Sequence, residues 1–393
     1  MEKKLGFRNI LFLGLVSFFI DLSTHMVYPL VPLYLVYVFG VSTTLIGLIE
    51  GVSESAASLL KVFSGYTTDR FKKKKLIAFI GYVPATIYKI MLLLSGTWGG
   101  IFAAKVIDRL GKGIRTSPRD VLISESTDKS KMGSSFGLHK ALDMLGVAMG
   151  ILITYFVLLF MGDNVSSFRL IFLIAIIPSV LGLFMFFFIK ERKEPREEKS
   201  KEPLWKNFKK IDGQLKLYLF VVFLFTLGNS SNVFILLRAQ SIGFAASSVI
   251  LLYFIYSMAA SLLSMPMGKL SDRIGRKKLL VPGYLIFSLC YLGFAFVTQQ
   301  WALVIVFVAY GAYTAMISGV ERAYVAEIAP PELRGTMLGL TATVAGIALL
   351  PASLIAGIMW EAINPAAPFI FGAGLSLAAA LILILFMKNR VSA

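Results

Sequence analysis

The sequence predicts an all-α membrane protein, with twelve transmembrane helices in two pseudo-symmetric six-helix bundles, and three observations lead there. A mean hydropathy of +0.78 with 57% hydrophobic residues places the chain in a bilayer rather than in water. Its apolar stretches recur at about 20 residues, the length a helix needs to cross roughly 30 Å of hydrocarbon. One unit also occurs twice: GYTTDRFKKKKL, from Gly65 to Leu76, returns 203 positions later as GKLSDRIGRKKL, from Gly268 to Leu279. The match reaches upstream, where Ala56–Leu60 and Ala259–Leu263 both read AASLL, and resumes downstream at an offset of 202, where Glu125, Gly133, Gly137 and Leu138 fall on Glu327, Gly335, Gly339 and Leu340. Membrane transporters place their substrate at the interface of such repeats.

The twelve stretches are 9–38, 43–66, 75–95, 98–120, 134–160, 167–190, 215–238, 247–270, 279–298, 301–328, 336–359 and 366–388. Continuous apolar runs such as Leu170–Ile189 lack the alternation that strands between lipid and lumen require, which argues against a transmembrane barrel. Six stretches fall in an N-terminal bundle, 1–189, and six in a C-terminal bundle, 213–393. The polar segment between them, 190–212, carries mixed charges with Pro195 and Pro203 and reads as a cytoplasmic linker, whose Trp205 and Phe208 suit the membrane surface.

Orientation follows from Lys and Arg. They crowd the start (Lys3, Lys4, Arg8), the loop after the second stretch (Arg70, Lys72 to Lys75), the linker, the loop after the eighth (Arg273, Arg276, Lys277, Lys278) and the end (Lys388, Arg390). The loops around Gly40, Gly96, Gln299 and Asn364 have almost none, so both termini are expected in the cytoplasm of a prokaryotic inner (plasma) membrane. The net charge of +17 is absorbed by these helix ends, where it sets topology and meets anionic lipid, and gives no reason to expect a nucleic-acid partner. For Lys72 to Lys75 topology alone suffices as an explanation. The single Cys290 excludes an internal disulfide, and no nucleophile–base pair, metal motif or phosphate loop points to an enzyme or a cofactor.

Two copies of Gly-x-x-x-Asp-Arg followed by basic residues, six plus six helices and a long central cytoplasmic loop resemble the major facilitator superfamily over nearly the whole chain. The resemblance implies that the loop residues Gly65, Asp69 and Arg70, with Gly268, Asp272 and Arg273, join gating contacts that hold one transport state and break in the other. In the fourth stretch Arg109 and Gly113 keep the spacing of the family's Arg-x-x-Gln-Gly, with Lys112 in place of Gln and Arg115 in place of a small residue. The family's drug–proton antiporters carry Gly-x-x-x-Gly-Pro in the fifth helix; here Gly146 and Gly150 keep the spacing, but Ile151 follows.

Charge inside a membrane is costly, about 3 kcal/mol on insertion scales, so such residues face a partner or a wet cavity. Ser17, Asp21, Thr24, His25 and Tyr28 share one face of the first stretch, and Gly47, Glu50, Glu54, Ser58 and Lys61 one face of the second. Lys105, Asp108, Arg109, Lys112, Arg115 and Arg119 form a charged stripe along the fourth, and His139 and Asp143 stand four apart on the fifth. The resemblance implies that helices 1, 2, 4 and 5 line the cavity of the N-terminal half, where these stripes would converge. The C-terminal half offers Asn229, Asn232, Arg238, Tyr253, Tyr256, Glu321, Arg322 and Tyr324 among aromatic and aliphatic residues. Arg119 and Arg238 also suit snorkelling near helix ends, and Glu321 with Arg322 a structural pair.

This asymmetry suggests that the N-terminal half handles protons and charge, with Asp21, Glu50, Glu54 and Asp143 as proton-coupling candidates, while the C-terminal half supplies an adaptable wall. The expected substrate cavity comprises His25, Tyr28, Lys61, Arg109, Lys112, Arg115, His139, Asn229, Asn232, Arg238, Tyr253, Tyr256, Glu321 and Arg322. Acids and bases in the N-terminal stripes balance, five against five, so their arithmetic does not name the substrate's charge. Asp21 and His25, one turn apart, lack the Cys and His neighbours of a metal site. The expected function is secondary active transport of a small organic or amphiphilic solute by alternating access as a monomer, with proton-coupled efflux ahead of proton symport of an organic anion, and a non-transporting receptor third.

Overall fold

The computed structural model describes residues 2–70, 74–127, 132–191, 213–329 and 334–387. Among these, all regular structure is helical. Fifteen α-helices make twelve spans. The first span is α1 (Glu2–Val27) and α2 (Leu30–Phe39); the next five are α3 (Thr43–Arg70), α4 (Lys74–Leu94), α5 (Trp98–Glu125), α6 (Met132–Met161) and α7 (Val165–Met185). After the linker come α8 (Gly213–Gly228) with α9 (Val233–Ser241), α10 (Ala246–Ile274), α11 (Arg276–Phe296), α12 (Gln300–Ile317) with α13 (Val320–Ile328), α14 (Arg334–Ala362) and α15 (Ala367–Phe386).

Three stretches that the hydropathy pattern reads as continuous are broken. Pro29 has no N–H to give and interrupts the first span. Asn229 to Asn232 unwind the seventh, and Ser318 and Gly319 the tenth. Hydropathy averages over such points; in the seventh, the freed Ser231 N–H donates to Ser353 Oγ of α14 at 3.3 Å. The fourth stretch runs five residues past its expected end at 120, since Pro118 is accommodated within α5 and polar residues continue the helix to Glu125.

The described residues pack as two compact units. The first takes those up to Val41, those from Val52 to the linker, and Ala245–Phe254; the second takes Ser42–Gly51, those from the linker to Phe244, and those from Ile255 onward. Thus the opening turns of α3 and of α10 each pack in the unit opposite to the rest of their helix.

Small residues let backbones meet. In the first unit a Cβ on Gly146 or Gly150 would lie 2.3 Å from the Phe18 carbonyl oxygen or 2.2 Å from that of Leu22, so α6 runs directly against α1. Thr154 and Ser23 tie the same helix to its neighbours by donating to the Met26 and Ala175 carbonyls at 2.8 and 2.6 Å. In the second unit the opening of α3 meets α14 in the same way, with Gly47 facing the Ser353 carbonyl oxygen at 2.2 Å from a would-be Cβ. Large apolar side chains such as Phe160, Leu262 and Phe296 stay exposed, as they do on a surface that meets lipid.

Candidate functional site

The charged stripes of α1, α3 and α5 meet inside the first unit. Asp21, Thr24, His25 and Tyr28 of α1, Glu54 of α3, Arg109, Lys112 and Arg115 of α5, and Tyr253 from the opening of α10 line a cavity of about 190 Å³. α5 comes close enough to deliver its cations because Gly111 and Gly113 present no side chain: a Cβ on Gly113 would lie 2.7 Å from Leu60 Cβ and 2.9 Å from the Ala57 carbonyl oxygen on α3.

Each cation is held differently. Arg109 Nε lies 3.1 Å from Glu54 Oε1, its side chain only 6% exposed. Above the Tyr28 ring sit both the Arg109 guanidinium, 5.6 Å from the centroid, and the Lys105 ammonium at 5.8 Å. The Arg115 guanidinium lies over the Tyr82 ring at 4.7 Å. Tyr253 stacks on His25 with centroids 6.1 Å apart and planes 16° apart, and its hydroxyl reaches His25 Nδ1 at 3.4 Å.

The carboxyls of Asp21 on α1 and Asp143 on α6 lie close enough to act on each other. Two bare carboxylates so placed repel, which suits the pair to taking up a proton. Lys140 Nζ donates to Asp143 Oδ2 at 2.7 Å, and the charges of Lys112 and Arg115 act on Asp21 from α5.

Most expected cavity residues of the N-terminal half are therefore brought together, with three displacements. His139 stands behind the wall, paired with Ser17 Oγ at 2.9 Å. Lys61 is exposed and does not line the cavity. Glu50, one turn before Glu54, belongs to the second unit, where Ser231 Oγ donates to it at 3.1 Å. Tyr253 moves the other way: the sequence groups it with the C-terminal half, yet it packs in the first unit, because the opening of α10 does. Lys89 was missed. It is fully buried on α4 and donates to Thr24 Oγ1 at 3.1 Å; the available signal was a lone Lys in an apolar stretch, seven residues and so two turns after Tyr82.

In the second unit the expected polar residues form a neutral net. Asn229 donates to Tyr313 (3.1 Å) and accepts from Tyr291 (3.5 Å); Asn232 donates to Tyr256 (3.3 Å) and accepts from Tyr310 (2.9 Å). Glu321 accepts from Tyr284 at 3.4 Å, while Arg322 is exposed. Arg238 is corrected from cavity to helix end: its guanidinium donates to the Phe294 and Ala295 carbonyls at 2.8 and 3.0 Å, closing the last turn of α11.

For the loop repeat, the side chains of Gly65, Asp69, Arg70 and Lys72 lie outside the described residues. In the second copy Arg273 is exposed, and Asp272 Oδ1 lies 3.5 Å from Arg276, which also holds Glu327 at 2.8 Å. The first copy has the matching pair Lys74–Glu125. Lys75 donates to the Ile189 carbonyl (2.7 Å), and Lys277 to that of Met387. Lys74 and Lys75 thus do more than set topology: they bolt helix ends together.

Two repeated sets of six spans, broken helices and a charged cavity inside one unit define a secondary-transporter architecture. A family model described as Major Facilitator Superfamily matches residues 13–237 and 218–393. An uncharacterized MFS-type transporter of Methanocaldococcus jannaschii is 36% identical over 96% of this chain and 94% of its own. The multidrug resistance protein MdtG of Citrobacter koseri is 25% identical over 75% of this chain and 74% of its own. Among solved structures, a nucleoside transporter NupG variant superposes with a TM-score of 0.84 at 14% identity, covering 96% of this chain and all of its own, and a D-xylose–proton symporter with 0.74 at 18%, covering 98% of each. The chain belongs to the major facilitator superfamily, and is an integral membrane transporter.

Proposed function

We propose that this protein is a proton-coupled secondary transporter that exports a small organic solute by alternating access. The observation that carries the reading is the Asp21–Asp143 carboxyl pair at the wall of a cavity that also holds Arg109 and Glu54. A proton taken up by the pair removes a negative charge beside Lys112 and Arg115, and so changes how those cations are satisfied; substrate and proton then act on the same positive charge. Glu54 and Arg109 form the organising ion pair, released when the acid is protonated or another anion arrives.

Export is supported by the relative named as a multidrug resistance protein. Bundles 1–189 and 213–393 act as the two moving halves around the linker 190–212, and the loops at Asp69 and Asp272 act as their gates. A single chain suffices, since the cavity is built within one unit. Both termini face the cytoplasm of a prokaryotic inner membrane, supported by the Lys and Arg at those helix ends.

The test is an imposed pH gradient across proteoliposomes while the interior pH is followed. Export requires solute-dependent proton movement opposite to solute flow; movement in the same direction means symport, and solute flux with no proton movement in either wild type or Asp21→Asn removes the pair from the mechanism.

A further inference from the structure

We infer that the solute is a small aromatic carboxylate, held by Arg115 and Lys112 beside the His25–Tyr253 stack. This rests on the transport reading above and names the substrate class of the same cavity.

The sequence-level balance of five acids and five bases does not survive folding. Glu50 packs in the second unit and Lys61 is off the lining. Lys89 joins the set, buried behind Thr24. Five basic side chains, Lys89, Lys105, Arg109, Lys112 and Arg115, then stand at the cavity or directly behind it. Against them are four carboxyls, on Glu54, Asp108, Asp21 and Asp143. A cation entering this space is repelled, and an anion completes it.

Two of these bases await a partner. Among the described residues no carboxylate lies within ion-pair distance of Lys112 or Arg115, in contrast to Arg109, which has Glu54. Arg115 is 94% buried, at 6% exposure, and its Nη1 has no hydrogen-bond partner among the described residues. The Tyr82 ring lies beside that guanidinium, and Arg115 also lines the cavity, where its fork suits a planar, two-oxygen acceptor. A neutral solute would leave a buried cation unsatisfied.

Size and lining narrow the class further. At about 190 Å³ the cavity is smaller than the roughly 300–1,000 Å³ that holds a drug-sized ligand. His25, Tyr28 and Tyr253 give it an aromatic wall against which a flat ring packs.

Binding to the full-length protein in detergent at fixed pH, read by thermal shift and calorimetric titration, tests this with benzoate, benzamide, benzylammonium and phenylphosphonate. Benzoate is expected to bind roughly tenfold to a hundredfold more tightly than benzamide, the fold-change of a charge-assisted hydrogen bond, and benzylammonium not to compete. Arg115→Lys should lose most of that preference, and Lys112→Gln, at an exposed side chain that leaves the fold intact, should weaken benzoate severalfold. No stabilisation by benzoate, equal binding of benzamide or benzylammonium, or unchanged benzoate affinity in Lys112→Gln overturns the proposal. Tighter binding of phenylphosphonate overturns the carboxylate in favour of a phosphate-like anion. No proton gradient is involved, so benzoate binding without proton-linked flux would sink the coupling mechanism alone, and proton-linked flux without anion preference would sink this assignment alone.

Discussion

The two units share a frame and differ in what fills it. At the offset of 202, Lys105, Asp108, Arg109, Lys112 and Arg115 of α5 correspond to Phe307, Tyr310, Gly311, Thr314 and Ile317 of α12. The packing supports this pairing: a Cβ on Gly81 would meet the Arg115 backbone at 2.7 Å, and one on Gly283 would meet Ile317 at 2.6 Å. The frame contacts recur as well, Lys74–Glu125 with Arg276–Glu327, and Lys75 to Ile189 with Lys277 to Met387. Where the first unit holds cations and carboxyls, the second holds phenols and amides that satisfy one another. Across the repeat the scaffold contacts recur while the interior side chains differ, charged in the first unit and largely uncharged in the second.

The comparison breaks first at Arg109. Arg109→Ala strands Glu54 in the cavity, a loss of about 3 kcal/mol for a broken buried pair that should cut coupled transport roughly a hundredfold. Glu54→Gln in the same background should restore folded yield but not coupling, as size-exclusion profiles and proton-driven flux would record. Full coupled transport by a stable Arg109→Ala protein would move the organising charge to Arg115.

Next in size is the carboxyl pair. Asp21→Asn or Asp143→Asn should lower gradient-driven flux by roughly 5- to 150-fold, the range of a coupling of about 1–3 kcal/mol, while solute exchange without a gradient persists. The double variant should be no worse than either single one, since the two act through one proton. Additive losses would mean two separate proton sites.

The second unit should answer in stability. Asn232→Leu leaves the Tyr256 and Tyr310 hydroxyls without their amide, about 1–3 kcal/mol, seen as a lower melting temperature with the pH dependence of transport unchanged. A shifted pH profile would give this net a share in coupling. Smallest are the frame pairs: Lys74→Ala and Arg276→Ala should each cost about 1 kcal/mol or less. Lys74 should cost more, because its side chain is 12% exposed against 30% for Arg276. A fall in transport rate at unchanged melting temperature would assign both pairs to the gates.

What was legible in the sequence was whatever follows from one helix at a time. Apolar length marks the spans, and spacing puts Asp21, His25 and Tyr28, or Arg109, Lys112 and Arg115, on common faces. Contacts across helices leave no such mark. Nothing in the spacing pairs Asp21 with Asp143 or Arg115 with Tyr82, and Lys89 hides in an apolar stretch because one charge barely lowers its average. Glu50 and Glu54 look alike on a helical wheel, yet they part company because α3 changes its packing partners between Gly51 and Val52. The same switch in α10, between Phe254 and Ile255, carries Tyr253 away from Tyr256.

Among the described residues, ten of the twelve spans are long and apolar enough to cross a membrane, and α3 and α5 fall short. A nascent segment bearing Lys105, Asp108, Arg109, Lys112 and Arg115 meets about 2.5–3.5 kcal/mol of insertion cost for each charge near its centre, so α5 cannot partition into lipid alone. In the fold it lies against α4, whose Gly81 and Pro84 receive it, and against α3, held close through Glu54. The charged cavity thereby has a consequence for biogenesis: a chain whose charges fail to find one another is expected to stall at the membrane's edge.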